Sequence, residues 1–148
     1  MNNRITDLQN QIALDLVSEI SNNKWFEIIL NTEVNCEDGH QTTSSVCFYI
    51  TSKKGVYKKE SIRFGYHKAA PVLELWKEYK NIHDSWSTLD LRVYPSGKVK
   101  FDFSYEPPLR MSGSLENGFE NYLDNYTPPE KEKNMLNRLM NIFTNRNK

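Results

Sequence analysis

The sequence predicts an α+β fold: an antiparallel β-sheet of four to five strands, with N-terminal, middle and C-terminal helices packed mainly on one face. The first observation behind this is that the hydrophobic period changes along the chain, from helical to alternating and back, in the order α-β-β-(β)-α-β-β-α. The second is size and composition. A chain of 148 residues that is 38% hydrophobic suits one domain, residues 1–148, with a frayed end at 145–148.

The first element is an amphipathic helix. Its apolar side chains recur at steps of three and four: Ile5, Leu8, Ile12, Leu16 and Ile20. This spacing predicts a helix over residues 3–21 that Asn22 and Asn23 end, and its apolar stripe is expected to cover the core.

Strands follow the first helix. Alternating apolar residues predict one strand over residues 25–34 and another over 44–51, joined by a polar loop that contains Asp38 and Gly39. A third strand over residues 56–64 is a weaker expectation, because a charged run interrupts its pattern.

The middle helix is predicted to begin at Pro71, since proline suits a first helical turn, where its missing N–H costs nothing. Its apolar face contains Val72, Leu75, Trp76, Tyr79 and Ile82. Two further alternating runs, residues 86–94 and 98–106, flank Gly97 and predict an antiparallel hairpin.

The end of the chain reads as a loop and a helix. Pro107 and Pro108 end the hairpin, because proline cannot donate to a β-ladder, and residues 109–126 read as a loop. Pro128 and Pro129 then open a predicted helix with the apolar face Met135, Leu136, Leu139, Met140 and Phe143.

Charge and cysteine content indicate a cytoplasmic protein. Nineteen basic and nineteen acidic residues give no net charge, whereas nucleic-acid-binding domains usually carry a basic excess. Asp7 and Asp15 interrupt any N-terminal apolar run, so neither a secretory signal nor a membrane segment is expected. Cys36 and Cys47 are expected to be free thiols.

No catalytic, cofactor-binding or metal-binding motif is recognisable. His40, His67 and His83 lie far apart, and no second pair of ligands completes a site with Cys36 and His40. The sequence contains neither a nucleophile motif nor a glycine-rich phosphate loop. The pattern therefore favours a binding protein over an enzyme and predicts no cofactor.

Charges segregate into two segments. Residues 53–63 contain five basic side chains and one acid, and residues 102–124 contain five acids and one base, interleaved with aromatic residues. Aromatic anchors among carboxylates suit a basic protein partner. Two ordinary solvated faces, with the aromatic rings turned inward, explain the composition equally simply.

The hairpin over residues 86–108 resembles the signature hairpin of the YezG-like immunity proteins. The matching residues are Trp86, Leu89, Leu91, Gly97, Lys98, Phe101, Phe103, Tyr105 and Glu106. The start is also similar, with a helix, a strand opened by Lys24 and Trp25, and then an aromatic strand. The resemblance covers residues 3–108 in element order and ends after Pro108.

The resemblance implies an antitoxin that binds the toxin domain of a secreted or contact-delivered effector, often a nuclease. It supplies no catalytic residues. If the toxin is a basic nuclease, the acidic segment becomes the expected docking surface, with the residues Asp102, Glu106, Glu116, Glu120, Tyr122 and Asp124. A nucleic-acid-binding module that uses residues 53–63 with Tyr49 and Tyr57, or an enzyme without motifs, remains the alternative. The sequence predicts no oligomeric state.

Overall fold

Two helices and five strands make up the computed structural model of the chain, which describes residues 3–21, 24–82, 85–113 and 119–129. The elements are α1 (Asn3–Ser18), β1 (Trp25–Glu37), β2 (His40–Lys53), β3 (Val56–Ser61), α2 (Tyr66–Ile82), β4 (Thr88–Val93) and β5 (Val99–Ser104). The predicted C-terminal helix falls outside the described residues.

The strands form one sheet in the order β3-β2-β1-β4-β5, and every neighbouring pair is antiparallel. The predicted α+β class and the antiparallel sheet are confirmed, including the third strand, which ends at Ser61. Strand β1 lies at the centre and pairs with β2 on one side and with β4 on the other. The side chains of β1 point alternately to the two faces of the sheet, and both faces are buried along most of this strand.

The prediction of a polar loop between the first two strands is wrong. Strands β1 and β2 continue to a two-residue turn, in which Asp38 and Gly39 have φ of 51° and 79°. Positive φ at both central positions is typical of the turn that matches the twist of a hairpin. This end of the ribbon carries no apolar alternation, because it is mostly exposed to solvent, and its sequence therefore resembles that of a loop.

Helix α2 begins at Tyr66, five residues before the predicted start at Pro71. The Ala69 N–H donates to the Gly65 carbonyl at 3.0 Å and so forms the first turn. Pro71 lies just beyond that turn, where its missing N–H removes one helical hydrogen bond. The prediction that the middle helix begins at Pro71 is therefore wrong, whereas the helix itself is confirmed.

One face of the sheet, which we call the helical face, holds the main hydrophobic core. Leu30 and Leu91 from the central strands and Leu75 from α2 are fully buried there. The Trp76 Nε1–H donates to the Trp86 carbonyl at 2.8 Å, which ties α2 to the segment before β4. In the described residues, neither helix is long and apolar enough to cross a membrane.

The opposite face, which we call the polar face, carries the odd-numbered residues of β1 from Glu27 to Glu33. A smaller apolar cluster of Ile29, Phe48 and Ile50 also lies there. Two irregular stretches, residues 108–113 and 119–126, lie over this face, and we call them the cover segments. The cover segments position the candidate site.

Candidate functional site

Two buried carboxylates define the site. Glu27 and Glu33 both lie on the polar face of β1, and they are 1% and 0% exposed. Burying a carboxylate is costly unless donors surround it. The donors that surround Glu27 and Glu33 therefore identify which parts of the chain these two carboxylates hold in place.

Glu33 holds the first cover segment. Its carboxylate accepts the backbone N–H of Arg110 at 2.9 Å through one oxygen and that of Met111 at 2.9 Å through the other. Hydrogen bonds to a carboxylate are stronger than neutral ones. Because these donors are backbone groups 77 and 78 residues away, this carboxylate fixes the path of the chain after β5.

The Arg110 side chain lies across β1 and β2. It donates to the Asn31 Oδ1 at 2.6 Å, to the Ser44 carbonyl at 2.8 Å and to the Asn31 carbonyl at 3.1 Å. Burial lowers the pKa of this guanidinium, while Glu33, 3.9 Å away, acts in the opposite direction. An arginine keeps its charge under such a change, so the first cover segment carries a cation into the polar face.

Glu27 holds the second cover segment. The hydroxyls of Tyr122 and Tyr126 donate to the same carboxylate oxygen at 2.6 and 3.0 Å, and Arg92 lies 3.4 Å from the other oxygen. Burial, followed by the hydrogen bond to Glu27, raises the pKa of Tyr122 although Arg92 opposes the rise. Burial and the Glu27 charge likewise raise the pKa of Tyr126. Both hydroxyls therefore stay protonated as donors.

Arg92 and Asp90 complete the arrangement from β4. The Arg92 guanidinium donates to both Asp90 oxygens, at 2.6 and 3.2 Å, and to the Tyr122 hydroxyl at 2.6 Å. Burial lowers the pKa of Arg92, but the hydrogen bond and charge of Asp90, together with the charges of Tyr122 and Glu27, outweigh burial, so the net pKa is raised. The Asn31 amide contacts Asp90 at 3.4 Å and joins the two halves. We call the set the latch network: Glu27, Asn31, Glu33, Asp90, Arg92, Arg110, Tyr122 and Tyr126.

Aromatic contacts fill the space beside the latch network. Tyr122 and Phe119 meet the Phe48 ring edge-on at centroid distances of 5.5 and 5.7 Å, and Tyr126 meets Tyr57 at 5.2 Å. The Lys59 ammonium donates to the Phe119 carbonyl at 2.7 Å. The second cover segment is thus fixed by rings as well as by polar groups.

Three of the predicted docking residues lie together on this second cover segment. Glu120 and Asp124 are exposed, and the Asp124 N–H donates to the Asn121 carbonyl within a turn at 3.1 Å. Tyr122 lies between them in sequence but points into the latch network. Tyr122 therefore lies beneath the turn that carries Glu120 and Asp124, which we call the acidic turn. The carboxylates of Glu120 and Asp124 remain exposed to solvent.

The other predicted docking residues are elsewhere. Asp102 lies on β5 with its side chain 59% exposed, 3.3 Å from the Lys100 ammonium, and it pairs across the strands with Asp90. Glu106 is exposed after β5, and its carbonyl accepts the Ser87 hydroxyl. Glu116 lies outside the described residues. The acidic segment is therefore not one continuous surface in the described residues.

The basic segment does not form the stacking platform that the nucleic-acid alternative requires. Tyr49 packs against the core of the helical face, whereas Tyr57 packs against Phe26 and Tyr126 on the polar face. A base-stacking surface needs rings that are open on one side of a sheet. Lys59 is also engaged, both with Phe119 and with the Phe48 ring at 5.3 Å.

Sequence reasoning missed the latch network. The sequence does contain one signal for the latch network. In β1, the most hydrophobic strand, three of four successive residues on one face are polar: Glu27, Asn31 and Glu33. A solvated face would explain such a pattern, and only the strand register places Arg92 and Asp90 beside it.

The geometry of the latch network suits it to holding the cover segments against the sheet. Both buried carboxylates already accept hydrogen bonds from protein donors on each oxygen. Within the described ranges, no three or more His, Cys, Asp or Glu side chains are grouped so as to hold a metal ion. Comparison of the sequence with models of known protein families, and with curated proteins, found no match.

Proposed function

We propose that this chain is an immunity protein that binds and neutralises a cognate bacterial toxin domain, with a basic nuclease as the expected target. One observation carries the proposal: buried Glu27 and Glu33 hold irregular chain against the sheet, while Glu120 and Asp124 remain exposed on it. A loop that is ordered before binding loses less entropy when a partner arrives, so such a turn suits recognition.

The docking surface in this proposal centres on the acidic turn. Glu120 and Asp124 attract and orient a basic partner, and Tyr122 keeps the turn in place through its bonds to Glu27 and Arg92. Asp102 lies on β5, the strand at the far edge of the sheet, and Glu106 lies just after it, and both contribute to the longer-range field. Inhibition follows from stoichiometric binding and requires no turnover by the chain.

The test needs the cognate toxin domain, which is sought first among the genes next to this chain's own. Co-expression should rescue cells from that toxin, and the purified proteins should associate faster at low salt than at high salt. The Glu120→Lys/Asp124→Lys variant should reduce the association rate about tenfold at low salt and flatten its salt dependence.

The control is Asp7→Lys, a single charge reversal at an exposed position of α1 on the other side of the sheet, and the two variants are compared per reversed charge. It should change the association rate much less than the variant of the acidic turn. Equal effects from both variants would refute this docking surface, and failure of the wild-type chain to bind or neutralise the toxin would refute the function.

A further inference from the structure

Part of the β2 edge has no neighbour in the described sheet. Strand β3 pairs with β2 only from Phe48 to Lys53, and the last bond is donated by the Ile62 N–H to the Cys47 carbonyl at 3.0 Å. After Ile62 the chain turns away towards α2. Residues 40–46 therefore pair with β1 on one side and with no described strand on the other.

The alternation of the strand shows which backbone groups point outward. Because the Cys47 carbonyl points towards β3, the N–H and C=O of Ser45, Thr43 and Gln41 point to the same open side. Strand β1 supports this assignment independently. Val34, the partner of Thr43, donates its N–H away from β2, to the Ser87 carbonyl at 2.8 Å.

This edge lacks the protection that the outer strands carry. Lysine residues commonly keep exposed edges from pairing. Strand β3 has Lys58 and Lys59 at its centre, and β5 has Lys100. The open stretch of β2, by contrast, reads Gln-Thr-Thr-Ser-Ser over residues 41–45, with no charge at all.

We propose that this edge pairs with the same edge of a second copy of the chain, which forms a two-fold symmetric antiparallel dimer centred on Thr43. The inference does not depend on the proposed function. In this register Thr43 faces Thr43 of the other copy, Gln41 faces Ser45, and Thr42 faces Ser44. The pair of β-branched side chains at the two-fold axis suits a sheet, and no like charges meet.

The two ends of the edge are also complementary. Glu37 and Asp38 lie at the turn end, whereas Arg63 lies at the other end, just after β3, where the chain leaves the sheet. An antiparallel two-fold axis places the acidic end of each copy beside the basic end of the other.

The dimer is expected to be weak. Pairing spans residues 41–45, because Ile62 already occupies the place beside Cys47, and five paired residues bury much less than the ~800 Å² per partner of a stable interface. Dissociation constants should therefore be about 10 μM or weaker, and association must be measured at high protein concentration under reducing conditions, because Cys36 is exposed.

Cross-linking tests the register directly. Thr43→Cys in a Cys36→Ser background should form a disulfide-linked dimer, because facing residues of a hydrogen-bonded antiparallel pair have Cα atoms about 5.5 Å apart. The control Gln41→Cys, on the same strand and the same face, would lie roughly 13 Å from its own copy and should not cross-link. Equal cross-linking at both positions, or none at either, would overturn the proposal.

Sedimentation tests the backbone contribution. Thr43→Pro removes an outward N–H and should weaken dimerisation at least about tenfold, whereas Thr43→Val keeps the N–H and should dimerise like the wild type. A chain that stays monomeric at ~1 mM, or a Thr43→Pro variant that folds and still dimerises, would contradict the proposal. If the proline variant fails to fold, the cross-linking result decides.

Discussion

The two faces of the sheet are covered by different means. On the helical face, two amphipathic helices bury a continuous apolar core around Leu30 and Leu91. On the polar face, irregular chain is held by buried Glu27 and Glu33 through hydrogen bonds from backbone and side chains. Apolar burial is non-directional and tolerates many arrangements, whereas buried carboxylates require donors at fixed places. The helical face therefore supplies stability, and the polar face fixes one path for the cover segments.

The largest expected effect comes from the helical face. Leu91→Ala should lower the free energy of unfolding by about 3 kcal/mol, because it leaves a cavity at a fully buried position. Urea denaturation measures the loss. The control Leu14→Ala, at a position 68% exposed on α1, should change stability by less than about 0.5 kcal/mol. Similar losses for both variants would show that the helical core is not where stability resides.

A smaller and more local effect is expected from the polar face. Glu33→Gln leaves one carbonyl oxygen for two backbone N–H donors, at a cost of about 1–3 kcal/mol. Hydrogen exchange should accelerate at Arg110 and Met111 more than at the amides of β4. Glu37→Gln, an exposed change on the same strand, is the control. Uniform acceleration across the sheet would mean that the cover segments and the core open together.

The smallest effect should appear at high pH. The raised pKa values of Tyr122 and Tyr126 mean that, above about pH 10, the unfolded chain loses tyrosine protons that the folded chain keeps. The contribution to stability is therefore complete below pH 10 and declines as pH rises. The decline stays below about 1.4 kcal/mol per pH unit for each tyrosine, since solvent screens the partly exposed rings.

Denaturation curves from pH 9 to 11 measure this decline. Tyr122→Phe and Tyr126→Phe should each make the curve flatter, because the substituted ring no longer titrates. Tyr66→Phe removes a hydroxyl from a residue that is 80% exposed and serves as the control. Curves that stay as steep in both latch variants as in the wild type would contradict the role of these hydroxyls as buried donors to Glu27.

The fold followed from the sequence wherever neighbours in the chain are neighbours in space. The spacing of Leu8, Ile12 and Leu16 identified α1, and the alternation around Gly97 identified the hairpin of β4 and β5. Errors arose where local signals were ambiguous. Pro71 suggests a helix start although it lies inside α2, and the polar residues 35–43 suggest a loop although most of them belong to β1 and β2.

The candidate site was foreseen only in part. The acidic residues Glu120 and Asp124 stood out in the sequence, and the structure places them on an exposed turn. The role of Tyr122 beneath that turn was not foreseen, because its contacts to Glu27 and Arg92 span 95 and 30 residues. The docking role of these residues stays a prediction.

The sequence alone determined the α+β class, the order of the described elements and the apolar stripes of both helices, because each depends on the local period of the side chains. Tertiary structure decided which polar residues would be buried. The register that sets Asn31 opposite Asp90, and the path that brings Arg110 to Glu33, depend on pairing between distant parts of the chain. A carboxylate in an alternating strand reads as solvated until the chain that covers it is known.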